Sequence, residues 1–156
     1  MDWLEDKINE FEEKMAKEKQ IRDEELARLR TKREKTYEKF NECFESKIGP
    51  TLEAAREILR KKGYCYEYNS PWNPVTSELV GREVVLRVVA DRDIRTFKPS
   101  DADRISFALK KDEPKIKISM AFKRRTEQTE TTHEIDDITK NLVEEKVREF
   151  FGKVFD

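Results

Sequence analysis

The chain has little of what catalytic and metal centres are made from. Among its 156 residues there is one histidine, His133, and there are two cysteines, Cys43 and Cys65. Cysteines so few and so far apart read neither as a disulfide framework nor as a zinc-ligand set. His133 has no serine, cysteine or acidic partner at the spacing nucleophilic catalysis needs, and a strand-end or capping role is expected of it. The four glycines argue against a glycine-rich phosphate loop. No apolar run approaches the roughly 20 residues of a membrane span. The opening Met1-Asp2-Trp3-Leu4-Glu5-Asp6 lacks the basic start and apolar stretch of a signal peptide, so a cytoplasmic protein without membrane contact is expected. Hydrophobic residues make up 36% of the chain and charged ones 43%, where soluble proteins average about 25% charged. One modest core is within reach, and part of the chain must stay outside it.

What the sequence does have is helix. Residues 2–48 contain no Gly and no Pro and are dominated by Glu, Lys, Arg, Ala and Leu, all good helix formers. Leu4, Ile8, Phe11 and Met15, then Leu26, Leu29, Tyr37, Phe40, Phe44 and Ile48, follow one another largely in steps of three and four. That is one apolar stripe on a helix. Gly49-Pro50 is expected to end it, Gly as a left-handed cap and Pro as a residue that cannot continue the ladder. At about 1.5 Å per residue such a helix reaches roughly 70 Å, while a domain of about 100 residues has a radius of gyration near 13 Å. Most of the helix must therefore project or pair with another. The expected division is a helical arm for oligomerisation, 1–48, and an α+β domain, 49–156.

Within that domain a short helix is expected over 50–62, with Leu52, Ala55, Ile58 and Leu59 on its apolar face and Arg60-Lys61-Lys62 before Gly63 as its ending. Strands follow at Tyr64–Tyr68, Val84–Val89, Ile105–Leu109 and Ile116–Phe122, the last two joined by a hairpin loop, Lys111-Asp112-Glu113-Pro114. An amphipathic helix closes the chain at about 136–155, with Ile138, Leu142, Val147, Phe150, Phe151 and Val154 buried and Asp136 and Asp137 at its N-terminus. The fold class is α+β with a four-stranded antiparallel sheet. Its core is expected to include Leu52, Ile58, Leu59, Leu86, Val88, Ile105, Phe107, Ile118, Phe122, Leu142, Phe150 and Phe151.

Pairing residue 110 with 115 sets Ile105, Phe107 and Leu109 against Met120, Ile118 and Ile116 on one face of the hairpin. The other face pairs Ala108 with Lys117, Ser106 with Ser119 and Arg104 with Ala121. With Arg87, Lys123 and Arg124 this forms a trough of small residues edged by basic ones, able to accept a helix, an acidic peptide or a nucleic-acid backbone. An ordinary solvated face is the plainer reading. Trp72, in a Pro-bounded loop, is expected to close the core edge or contact a partner. Tyr64, Tyr66 and Tyr68 share a face, which suits packing under a helix better than base stacking.

Two resemblances bear on function. Asp93 with Glu113-Pro114-Lys115 is similar to the carboxylate and Glu-x-Lys arrangement of metal-dependent nucleases. That pattern rides on a strand, whereas Pro114 places this one in a turn, so solvated loop charges are expected and no metal or cofactor. The helix of Pro50 onward followed by Gly63-Tyr64-Cys65-Tyr66-Glu67-Tyr68 resembles the opening of a double-stranded RNA-binding domain. The resemblance implies phosphate-gripping lysines at the start of the last helix; Glu134, Asp136 and Asp137 stand there instead and repel phosphate. One strand is also in excess, and the family is not assigned.

Charge is unevenly spread beneath a net of −1. Residues 1–27 sum to −5, 28–62 to +5, 63–126 to +4 and 127–156 to −5. In an antiparallel pair of long helices whose facing numbers sum to about 48, Leu4 meets Phe44, Ile8 meets Phe40, Phe11 meets Tyr37 and Arg22 meets Leu26. Met15 then lies along the stem of Arg33, and the acidic N-terminal stretch runs beside 28–47, which carries +3. A parallel pair sets like charges together. The sequence thus points to a non-enzymatic assembly or adaptor protein, homodimeric through Leu4, Ile8, Phe11, Met15, Leu26, Tyr37, Phe40 and Phe44. An acidic protein is a further expected partner. The alternative is a nucleic-acid-binding module using the basic middle, Trp72, Arg87, Arg104, Lys117, Lys123 and Arg124, with an enzyme a distant third.

Overall fold

With no glycine or proline before position 49, nothing interrupts the first helix, and α1 runs over Asp2–Cys43. The computed structural model describes residues 1–70, 72–73, 78–79, 82–110 and 113–156, and the side chains of these except at 72, 73, 78 and 79. After α1 the helix widens into a π turn, Phe44–Ile48, and continues as α2, Gly49–Lys62. Gly49-Pro50 does not end the helix as expected. Gly49 keeps right-handed helical geometry (φ −56°) and its N–H donates to the carbonyl of Phe44, five residues back. Proline has no N–H to give and its ring crowds the carbonyl four residues before it; the wider π turn accommodates that misfit. Glycine is needed beside it, because a Cβ at position 49 would stand 2.9 Å from the Phe44 carbonyl oxygen. The left-handed stop comes at Gly63 (φ 81°), directly after Arg60, Lys61 and Lys62.

Contacts divide the chain into two units, Met1–Tyr37 and Glu38–Asp156. The first is helix alone. In the second, strands β1 (Tyr66–Asn69), β2 (Trp72–Asn73), β3 (Glu78–Leu79), β4 (Glu83–Val88), β5 (Asp103–Leu109), β6 (Lys115–Phe122) and β7 (Glu127–Glu134) precede a last helix, α3 (Lys140–Val154). The main sheet is antiparallel with the order β1-β4-β5-β6-β7, and β2 pairs only with β3. It has five strands where the sequence suggested four. The addition is β7, whose Glu127-Gln128-Thr129-Glu130-Thr131-Thr132-His133-Glu134 contains no apolar residue and so shows no hydrophobic period. Its burial nonetheless alternates, half-buried at odd positions and exposed at even ones.

The β5–β6 register is the one expected, Leu109 opposite Ile116, Phe107 opposite Ile118 and Ile105 opposite Met120. Lys111 and Asp112 of the intervening loop lie outside the described residues. Val84, Leu86, Val88, Ile105, Phe107 and Ile118 are buried on one sheet face. Against that face pack α2 and α3, which bring Leu52, Leu59, Val143, Val147, Phe150 and Val154. The expected core needs three corrections. Ile58 is 59% exposed, and Leu142 and Phe151 are half-buried. Leu52 and Leu59 are the α2 residues turned to the sheet, which carries Ile58 round to the outer side. On α3, Val143 takes the place expected of Leu142.

The last helix also starts later than expected. Thr139 caps it, its hydroxyl accepting from the Leu142 N–H at 3.1 Å, the bond a threonine N-cap supplies. Asp136 and Asp137 fall in a preceding 3-10 turn, Ile135–Asp137, and Asp136 pairs with Lys39 at 3.6 Å. No helix among the described residues is long and apolar enough to cross a membrane.

Candidate interaction surfaces

Along residues 1–37 most of the apolar stripe is exposed. Phe11 and Leu26 are each 63% exposed, and Ile8, Met15 and Leu29 are exposed too, with Leu4 and Tyr37 half-buried. Phe40 and Phe44 behave differently: they are buried within Glu38–Asp156, with 0% and 8% of their surface exposed. The π turn that holds Phe44 packs against α3. Both phenylalanines therefore belong to the core of their own chain, and the layers setting Phe44 on Leu4 and Phe40 on Ile8 of a second copy are not available as drawn. Cys43, beside them, is buried as well, and burial raises its thiol pKa against the opposing pull of Lys47.

The sheet face away from the helices carries most of the basic residues singled out in the sequence. Glu67, Arg87, Arg104, Ala121 and Gln128 stand opposite one another in turn across β1, β4, β5, β6 and β7. In the next rows come Val85, Ser106, Ser119 and Glu130, then Ala108, Lys117 and Thr132. The small residues do line up across the strands, and two of the basic residues beside them, Arg87 and Lys117, have carboxylate partners. Glu67 Oε1 accepts from Arg87 Nη1 at 3.0 Å, and Glu130 and Glu134 each stand 3.7 Å from the ammonium of Lys117 and Lys115. Two of these three carboxylates come from β7, the strand that hydropathy did not reveal. Arg104 Nε is buried without a hydrogen-bond partner among the described residues. Lys123 and Arg124 are exposed beyond the end of β6, and the Lys123 N–H donates to the buried Asp103 carboxylate at 2.8 Å. Trp72 lies in β2 opposite Leu79; the placement of its side chain is outside the described residues. An anion approaching this face meets three carboxylates interleaved with the cations.

A third surface, between α2 and α3, is apolar. Thr51, Ala54 and Ile58 on α2 and Val147, Phe151 and Phe155 at α3 line an open groove of about 390 Å³. Its aromatic wall is held in place: Phe155 stacks on Phe151 with ring centroids 6.0 Å apart and takes Tyr64 edge-on at 5.0 Å. Arg92 lies over the Tyr64 ring at 5.3 Å and donates to the Lys62 carbonyl. Tyr68 is likewise packed beneath α2, with Arg56 over its ring at 5.7 Å. The tyrosines therefore serve packing. The groove escaped the sequence reading because Ile58 and Phe151 were assigned to the core.

Groups capable of covalent chemistry are sparse. His133 sits on β7 with Nε2 3.1 Å from the Thr131 hydroxyl. The thiol of Cys65 donates to the Ile94 carbonyl. Among the described residues no cluster of three or more His, Cys, Asp or Glu could hold a metal ion. No family model matches the chain, and no curated protein or solved structure matches it either.

Proposed function

We propose that the protein is a non-enzymatic assembly or adaptor protein that homodimerises through α1 and presents its α+β domain to other proteins. The observation that carries this reading is the exposed stripe of Ile8, Phe11, Met15, Leu26 and Leu29 on a helix rich in charged residues. A helix that short of buried surface gains its stability from packing its apolar side on something else. Antiparallel pairing sets the acidic residues 1–27 beside basic ones and favours two chains running in opposite directions. The carboxylates of Glu67, Glu130 and Glu134 interleaved with the cations of the sheet face weigh against the nucleic-acid alternative. Light scattering on the purified chain at micromolar concentration tests the proposal, with a mass twice 18.6 kDa expected. A species of 18.6 kDa throughout that range would overturn it.

A further inference from the structure

We infer that the α2–α3 groove is the seat of the N-terminal stripe of a second copy, with Leu4, Ile8 and Phe11 of one chain lying antiparallel along Ile58, Ala54 and Thr51 of the other. This rests on the dimer reading above and names the surface that completes it. Three observations lead to it. The first is spacing. From Leu4 the stripe steps by four and then three, and from Ile58 the groove side of α2 steps back by four and then three. Antiparallel helices in contact therefore meet at all three layers, with facing numbers summing to 62 in each. The second is size. Ile8 and Phe11, large and exposed, come opposite Ala54 and Thr51, small residues that leave the groove open, as ridges fill grooves where helices pack. The third is charge. In this register Asp2 comes opposite Arg60 and Asp6 opposite Arg56, against one like pair, Glu5 and Glu57. The opposed ends of the two helix dipoles attract in the same arrangement.

Phe40 and Phe44 are no obstacle here, since neither is asked to face the partner. By symmetry each chain gives its stripe and receives the other's.

The test uses the full-length chain with Cys43 and Cys65 replaced by Ala. A double variant, Ile8→Cys with Ala54→Cys, is oxidised and run without reductant. A covalent dimer is expected, while either single-cysteine variant stays largely uncrosslinked. A disulfide closed inside one chain, or efficient crosslinking of Ile8→Cys alone, overturns the inference. Crosslinking instead by Glu10→Cys with Glu38→Cys overturns this register and leaves the dimer standing; a monomeric mass overturns both. Should the cysteine-free background not fold, Ile58→Asp in the parent chain gives a second measurement at an exposed site. Its dimer dissociation constant should rise about tenfold or more, since a carboxylate is then forced into an apolar contact. An unchanged constant removes the groove from the interface.

Discussion

Phe107 lies opposite Val84 on one side and Ile118 on the other, and Phe150 brings its ring to 5.6 Å from Phe122; both are fully buried. Truncating either to Ala removes those contacts and leaves a cavity, at a cost of about 3–5 kcal/mol. Denaturant unfolding should show the loss for both. Tyr68 supplies a pH signature. Burial above all, with the nearby Glu53 carboxylate adding to it, pushes its phenol up to about 12, against the lowering effects of Ser70 and the charge of Arg56. An unfolded tyrosine ionises near pH 10, so the unfolded chain gives up this proton first. The contribution of Tyr68 is intact below about pH 10 and declines as the pH climbs towards 12. Tyr68→Phe should remove that part of the alkaline decline in stability, measured by unfolding at a series of pH values.

Elements with a hydrophobic period are legible in the sequence alone. The alternation of Ile105, Phe107 and Leu109 against Ile116, Ile118 and Met120 dictates a register because a slip by one residue turns every apolar side chain to the wrong face. The period carried no such information for β7, where Thr129 and Thr131 cover the margin of the core and Glu130 and Glu134 answer lysines across the strand pair. Its β-branched threonines were the available signal. The π turn was illegible for a different reason: Gly-Pro ends helices far more often than it widens them, and only the close approach of the Phe44 carbonyl explains the glycine. That approach yields a pair of opposite expectations. Gly152, inside α3, has nothing within 4 Å of an added Cβ, so Gly152→Ala should stabilise by about 0.5–1 kcal/mol through lower backbone entropy in the unfolded chain. Gly49→Ala gains the same entropy but sets a methyl 2.9 Å from backbone, so it should destabilise. Thermal melts of the two variants moving in the same direction would contradict this account of the π turn.

At the scale of the whole molecule, the core does not start where the sequence suggested that the helical arm ends. Phe40, Cys43, Phe44 and Ile48 precede position 49, yet all four are buried in Glu38–Asp156. A chain beginning at Glu38 keeps every one of them, and should retain a cooperative melt close to that of the parent. A chain beginning at Gly49 lacks two phenylalanines, an isoleucine and a cysteine from the core. Losing one buried phenylalanine side chain alone costs about 3–5 kcal/mol, and the whole stability of a domain is only about 5–15 kcal/mol. The shorter chain should therefore be largely unfolded at room temperature, as circular dichroism and the absence of a cooperative transition will show. Association should separate from folding in the same pair of truncated chains. The Glu38 chain has lost Leu4, Ile8, Phe11, Met15 and Leu26, so it should be folded and monomeric by light scattering at concentrations where the full chain is dimeric. A dimer that survives this truncation would place the association surface wholly within Glu38–Asp156 and take α1 out of it.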